Sequence, residues 1–217
     1  MITLHHLNQS RSLRILWALE ELGLEYQIQS YKRLADLTAP PELKQIHPLG
    51  KSPILTDGDL VIAESAVILE YLQTTYDTEH KFKPQAPQNL LQYQYWLHYA
   101  ESSLMPYLVM TLVMNQVPKQ VPFLIKPIAA KVCDGVKNGF IHPRLKAHRM
   151  YLNDYFEKNE YCAGDFSFAD IQMSFPIFAL QQRTEDRSPH ILAYAERIQQ
   201  RPAFQRAKQK EALEFAT

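Results

Sequence analysis

An α/β domain over residues 1–80, a linker at 81–89 and an all-helical domain over 90–217 form the fold class that this sequence predicts. Three observations carry it. Up to about residue 80, short period-two apolar runs alternate with helical ones. A charged, proline-bearing run without apolar period, DTEHKFKPQAPQN at 77–89, then interrupts the chain. Beyond it the apolar segments keep helical spacing to the end.

In order, MITLHH reads as a strand, and the stretch from Ser10 as a helix closed by Gly23. EYQIQSY follows as a strand with Tyr26 and Ile28 in period two. APPELKQIHPLG is a short helix begun by proline and stopped at Pro48-Leu49-Gly50. SPILTDGDLVIAES holds two apolar runs around Asp57-Gly58, a pair that tolerates the positive φ of a tight hairpin turn. SAVILEYLQTTY is a helix with Ser65 as its N-cap. The order is β-α-β-α-β-β-α. In the second domain, LLQYQYWLHYAESSLMPYLVMTLVM is one long or kinked helix. The next starts with Pro143 near its first turn and carries Leu145, Leu152 and Phe156 on one face. Ser167 and Asp170 resemble a capping box with Asp where Glu or Gln is usual, flanked by Phe166 and Ile171 as a hydrophobic staple. Two further helices start near Pro189 and Pro202.

Composition narrows the function. The chain has 217 residues, 46% hydrophobic, with 23 basic and 23 acidic side chains, so it lacks the basic field that nucleic-acid or anionic-membrane binding needs. The partner expected is a small molecule or another protein. Cys133 and Cys162 are far apart without CxxC or Cys/His spacing, which indicates neither a disulfide framework nor a metal site and fits a reducing cytoplasm. No signal peptide is expected, and the greasiest run, LMPYLVMTLVM, is too short to span a bilayer and is broken by Pro106.

Three polar elements of the first domain stand at element ends, where loops converge: Ser10, Lys51-Ser52-Pro53 and Glu64-Ser65. Ser65 and its neighbouring amides at a helix start suit a carboxylate. Glu64 can pair with an ammonium, Lys51 with a second carboxylate, and the backbone of Ser52 with an extended peptide. Ser10 then faces the middle of such a ligand, where a helix start and a hydroxyl favour an anion. A thiolate is the chemically interesting one, because lowering a thiol from its usual pKa of about 8.5 by two units takes about 2.7 kcal/mol of differential stabilisation. Position alone equally allows Ser10 to be a helix cap, Glu64-Ser65 a cap with a first-turn acid, and Lys51 a solvated lysine. His47 reads as a loop residue, Arg11, Arg14, Glu20 and Glu21 as exposed or interdomain charges, and the two cysteines as buried or incidental.

The segments SRSLRILWALEELGLEY, HPLGKSPIL, VIAESAVILEYL, YWLHYAESSLMP, AGDFSFADI and RPAFQRA, occurring in this order, resemble the cytosolic glutathione S-transferase family over essentially the whole chain. The resemblance is closest to serine-type bacterial and fungal members, in which a serine four residues before an arginine faces the glutathione sulfur; Ser10 and Arg14 match that spacing. It implies a thioredoxin-like N-terminal domain with a cis bond before Pro53, a homodimer, and glutathione at Lys51, Ser52, Pro53, Glu64 and Ser65. The tyrosine of another branch is replaced by His5-His6-Leu7, and no cysteine stands near Ser10; Asn8 and Ser12 remain rival thiol activators. Glu101 is implied to reach the glutathione amino group across the dimer.

An apolar electrophile as second substrate would need a tolerant, greasy pocket. Tyr107, Met110 and Met114 share one helical face, with Met105 a turn earlier, a pattern that core packing produces as well. Two functions of different class follow: a transferase conjugating glutathione to small hydrophobic electrophiles, with organic hydroperoxides as further substrates, and a non-catalytic glutathione-binding or protein-interaction module. Ser10 favours the enzyme, since a binding module has no need of a thiol-facing hydroxyl.

Overall fold

The computed structural model describes residues 1–34, 36, 38–182 and 188–216. The first part contains β1 (Ile2–Leu7), α1 (Ser12–Leu22), β2 (Tyr26–Tyr31), α2 (Leu43–Ile46), β3 (Ile54–Asp57), β4 (Leu60–Ala63) and α3 (Ser65–Tyr76). Its sheet has the order β2-β1-β3-β4, a thioredoxin-like arrangement. β1 and β2 are parallel, with Leu4 opposite Ile28, and a parallel pair requires a crossover, which α1 supplies. β3 runs antiparallel to both β1 and β4. Asp57 is the last residue of β3, paired with Leu60, so the hairpin turn is Gly58-Asp59 with Gly58 at φ 57°.

α1 starts two residues later than Ser10. Gln9 turns the chain at φ 51°, and the Ser10 hydroxyl accepts the Ser12 amide at 3.1 Å, closing a turn ahead of the helix. Ile15, Leu16, Trp17, Ala18 and Leu19 are all fully buried, because the helix has the sheet domain on one side and helices of the second part on the other.

The second part comprises α4 (Pro87–Tyr99), α5 (Met105–Gln120), α6 (Lys126–Val136), α7 (His142–Lys158), α8 (Phe168–Gln182), α9 (Pro189–Gln199) and α10 (Pro202–Glu214). The long helix expected here is kinked by a π-helical turn at Ala100–Leu104 between α4 and α5. Pro106 cannot supply the amide that would bond one turn back, and the wider turn ahead of it accommodates the proline ring. A second π turn, Lys137–Ile141, stands in the same relation to Pro143 between α6 and α7.

Asp170 closes the start of α8 in the way its spacing predicts: it accepts from the Ser167 amide at 2.9 Å and the Ser167 hydroxyl at 3.2 Å. Its other oxygen accepts from the Cys162 amide and the Tyr194 hydroxyl, which pins the preceding loop and α9 to the same carboxylate. A continuous core runs from Leu4 through Trp17 to Phe168 and Phe204, so the two parts share one hydrophobic interior. Charges border it: Glu21 takes both fork nitrogens of Arg201, and Glu20 takes Arg206 and Lys210, which makes these residues interdomain partners.

Candidate active site

The α2–β3 loop, the start of α3, the front of α1 and the α4–α5 junction meet at a cleft of about 240 Å³. Lys51, Ser52, Pro53, Glu64 and Ser65 all line it, together with Arg11, His47, Leu49, Ala63 and Glu101. Each loop has a local reason for its place. Gly50 sits at φ 56° against α2, where an added Cβ would meet Lys44 Cγ at 2.6 Å, and so sets Lys51 at the rim. The Ser52–Pro53 bond is cis. The Ser52 hydroxyl donates to the His5 carbonyl at 3.0 Å and accepts from the Leu7 amide at 3.3 Å, which ties this loop to β1.

Glu64 holds φ 72°, ψ 122°, a conformation that costs a non-glycine residue on the order of 1–3 kcal/mol and recurs at functional sites. Its carbonyl accepts the first helical bond, from Ile68, so Glu64 and not Ser65 is the N-cap residue, and among the described residues no side chain caps α3. The first-turn amides beside Ser65 therefore keep their donor capacity and positive potential for a ligand.

Arg11 was the site residue hardest to see in the sequence. Its guanidinium makes a two-pronged pair with Glu101, both bonds 2.9 Å, and Arg14 Nη1 adds a third at 2.6 Å. Arg14 also reaches the Ser65 hydroxyl at 3.4 Å, joining the network to the start of α3. Burial draws the Arg14 guanidinium down to about 10, against the opposing charge of Glu101, and leaves it a cation at neutral pH. Burial alone would raise the Glu101 carboxyl, but the Arg11 hydrogen bond and the charges of Arg14 and Arg11 outweigh it and hold the carboxyl below its ordinary value. Glu101 thus occupies the cleft of its own chain. The signal for Arg11 was its spacing of three from Arg14 on the first turn; His47 and Leu49 carried none beyond their nearness to Lys51.

Ser10 does not line the cleft and is 7% exposed. Its oxygen is 2.8 Å from Ser12 Oγ, which in turn is 2.8 Å from His6 Nδ1. Of the rival residues, Asn8 accepts the Arg33 amide through its side-chain carbonyl at 2.7 Å, and Ser12 is fully buried. Tyr107 and Met110 line a second groove, of about 390 Å³, with Pro106, Phe140 and His148. Met105 is instead a core residue, and Met114 packs against that core.

A cis-proline loop beside the start of α3, on a sheet of order β2-β1-β3-β4 and packed against a helical domain, is the thioredoxin-like arrangement expected from the sequence. Comparison with known proteins makes the class specific. Residues 1–74 match the family model for the glutathione S-transferase N-terminal domain. The chain is 37% identical over 213 residues to glutathione S-transferase 3 of Schizosaccharomyces pombe, covering 97% of this chain and 88% of that one. It is 34% identical over 222 residues to glutathione S-transferase 1 of Saccharomyces cerevisiae, covering 97% and 95%. A crystal structure of a glutathione S-transferase from Actinobacillus pleuropneumoniae matches with a TM-score of 0.77 at 33% identity, over 97% of this chain and 93% of that one. The transferase URE2P8 of Phanerochaete chrysosporium, solved with oxidized glutathione, shares the fold with a TM-score of 0.76 at 20% identity, over 100% and 96%. The chain belongs to the glutathione S-transferase family, and it is a transferase whose family uses glutathione as co-substrate.

Proposed function

We propose that the cleft binds glutathione as its thiolate and that the thiolate attacks small hydrophobic electrophiles, with organic hydroperoxides as a second substrate class. The observation that carries this reading is the convergence of Lys51, Ser52, Glu64 and Ser65 on one cleft at an uncapped helix start. Ser65 and the α3 amides take one carboxylate, Lys51 the other, Glu64 and Glu101 the ammonium, and the backbone of Ser52, presented by Pro53, the peptide middle. Ser10, which neighbours the cleft residue Arg11, donates to the sulfur once its hydroxyl turns from Ser12 towards the cleft. A hydrogen bond to a charged group contributes about 1.5–3 kcal/mol, which is of the size that two units of thiol pKa require. Thiolate stabilisation and proximity then carry the reaction without a protein-borne base.

The groove at Tyr107 and Met110 takes the electrophile, its aromatic neighbours Phe140 and His148 suiting flat, apolar acceptors. The assembly is a homodimer, supported by the exposed apolar side chains Leu91 and Tyr95 of α4 and Met150 and Tyr151 of α7. The reaction belongs to cytoplasmic detoxification, in keeping with the free thiols of Cys133 and Cys162.

Turnover of a chloronitroaromatic acceptor and of an organic hydroperoxide tests the reading, with Ser10→Ala as the decisive variant. Ser10→Ala should raise the pKa of the bound thiol, read from its ultraviolet thiolate absorbance, and cut turnover on the order of tenfold while glutathione affinity stays nearly intact. An unshifted titration with undiminished turnover moves the donor role away from Ser10.

A further inference from the structure

We infer that the tip where α5 passes into α6 is a peripheral membrane-docking surface: Phe123, Leu124, Ile128 and Val132 enter an anionic lipid interface, and Lys119, Lys126 and Lys131 meet its phosphates. None of these residues lines the cleft or the groove, and the docking does not depend on the chemistry proposed there.

A 3-10 turn, Phe123–Ile125, leads into α6, which packs chiefly against α5. Of the side chains of α6 only Cys133 is buried. Away from Cys133, the residues Leu124, Ile128, Val132 and Val136 recur at a spacing of four and are all exposed. That spacing places them on one face, as a ridge about 18 Å long. At its start Phe123 and Leu124 are 85% and 86% exposed, more than any other large hydrophobic side chain among the described residues. Contiguous apolar surface of this kind is unfavourable in water and marks a place where something else is met.

The charge around the ridge says what that is. The chain is neutral overall, which argued against a membrane partner, but the balance averages away a local excess. Residues 119–137 carry four lysines against one acid, Asp134, and that acid is already paired with Lys137 at 2.9 Å. Lys119, Lys126 and Lys131 are exposed and form no ion pair among the described residues. Headgroup phosphates suit such ammonium groups while the ridge sinks into the boundary of the acyl chains, the lysine stems lying along it. A second copy of the chain fits less well. Two ridges meeting about a twofold axis would set Lys126 and Lys131 against their own counterparts, with no unpaired acid on the segment to receive them. The dimer proposed above draws on α4 and α7 instead. No helix among the described residues is long and apolar enough to cross a membrane, so the contact is made from one side.

The test is co-sedimentation of the full-length protein with vesicles of phosphatidylcholine alone and of an equimolar mixture of phosphatidylcholine and phosphatidylglycerol. Circular dichroism and the thermal midpoint serve as folding controls, which these exposed positions should leave at wild-type values. Wild type should pellet with the anionic vesicles, less so as salt is raised, and only weakly with phosphatidylcholine. The Phe123→Ser/Leu124→Ser double variant should bind the anionic vesicles roughly a hundredfold more weakly. Lys126→Gln/Lys131→Gln should bind them about thirtyfold more weakly, which is about 1 kcal/mol for each lysine. Lipid docking is overturned if wild type stays in the supernatant with both compositions, or if Phe123→Ser/Leu124→Ser binds as tightly as wild type. If wild type ignores the vesicles but sediments as a larger assembly than Phe123→Ser/Leu124→Ser does, the ridge joins copies of the chain and lipid docking is likewise overturned.

Discussion

Arg14 shows how one buried charge organises the residues around it. Its side chain is 1% exposed, and its Nε and Nη2 find no hydrogen-bond partner among the described residues, so its cation depends on Glu101. Glu101→Gln should therefore lower stability by about 2–3 kcal/mol, less than for a wholly buried pair because Glu101 is about a third exposed. The pH dependence has a definite sign. The Glu101 carboxyl is held below the ordinary value of 4.5, so its contribution is complete above that value and is lost as pH falls through the lowered one. Thermal melts from pH 7 downward should show the gap between wild type and Glu101→Gln closing in acid; a gap constant with pH would assign the stability elsewhere. On the same network, Ser65→Ala removes a hydroxyl from the anion seat at the start of α3. Calorimetry should find glutathione bound about tenfold more weakly, and unchanged affinity would misplace the seat.

Among the elements, the start of α8 carries the strongest local device. One fully buried carboxylate, Asp170, is shared by the Ser167 amide and hydroxyl, the Cys162 amide and the Tyr194 hydroxyl, so it joins a helix start, a loop and α9. Asp170→Ala leaves these donors buried without an acceptor and should cost roughly 3 kcal/mol or more. That is read as a lower urea midpoint at unchanged slope. Ser167→Ala, which removes a single hydroxyl bond, should cost about 1 kcal/mol. The two π turns are also element-scale features: each precedes a proline, and each bends a helix pair near a site, the first bringing Glu101 to the cleft and Ser102 and Ser103 to the groove.

At the scale of the molecule, the continuous core means that the two parts stand or fall together. Trp17 is fully buried against Phe166 at 5.6 Å and Phe204 at 5.0 Å, two rings contributed by the helical part. Trp17→Ala should lower stability by about 3–5 kcal/mol, and unfolding should remain one transition by both fluorescence and circular dichroism. Two separated transitions would show that the parts fold independently. The apolar face of α4 and α7 predicts a dimer in sedimentation at micromolar concentration; a fully active species at the 25.2 kDa of one chain would remove that assembly.

What the sequence determined by itself is local. Glu64-Ser65 and Lys51-Ser52-Pro53 were legible because each group lies within a few residues of an element end, where helix-start chemistry and turn residues are read directly. Ser167 and Asp170 were legible for the same reason, since a capping box is a fixed spacing of three. Tertiary structure alone decided the pairs that are distant along the chain. Arg11 and Glu101, 90 residues apart, meet because the π turn at Ala100–Leu104 carries Glu101 to the cleft in front of α1, and His6 meets Glu211 only because α10 packs back on the first domain. Whether Met105 lines a groove or fills a core was likewise undetermined, because helical spacing fixes which residues share a face but not which neighbour that face meets.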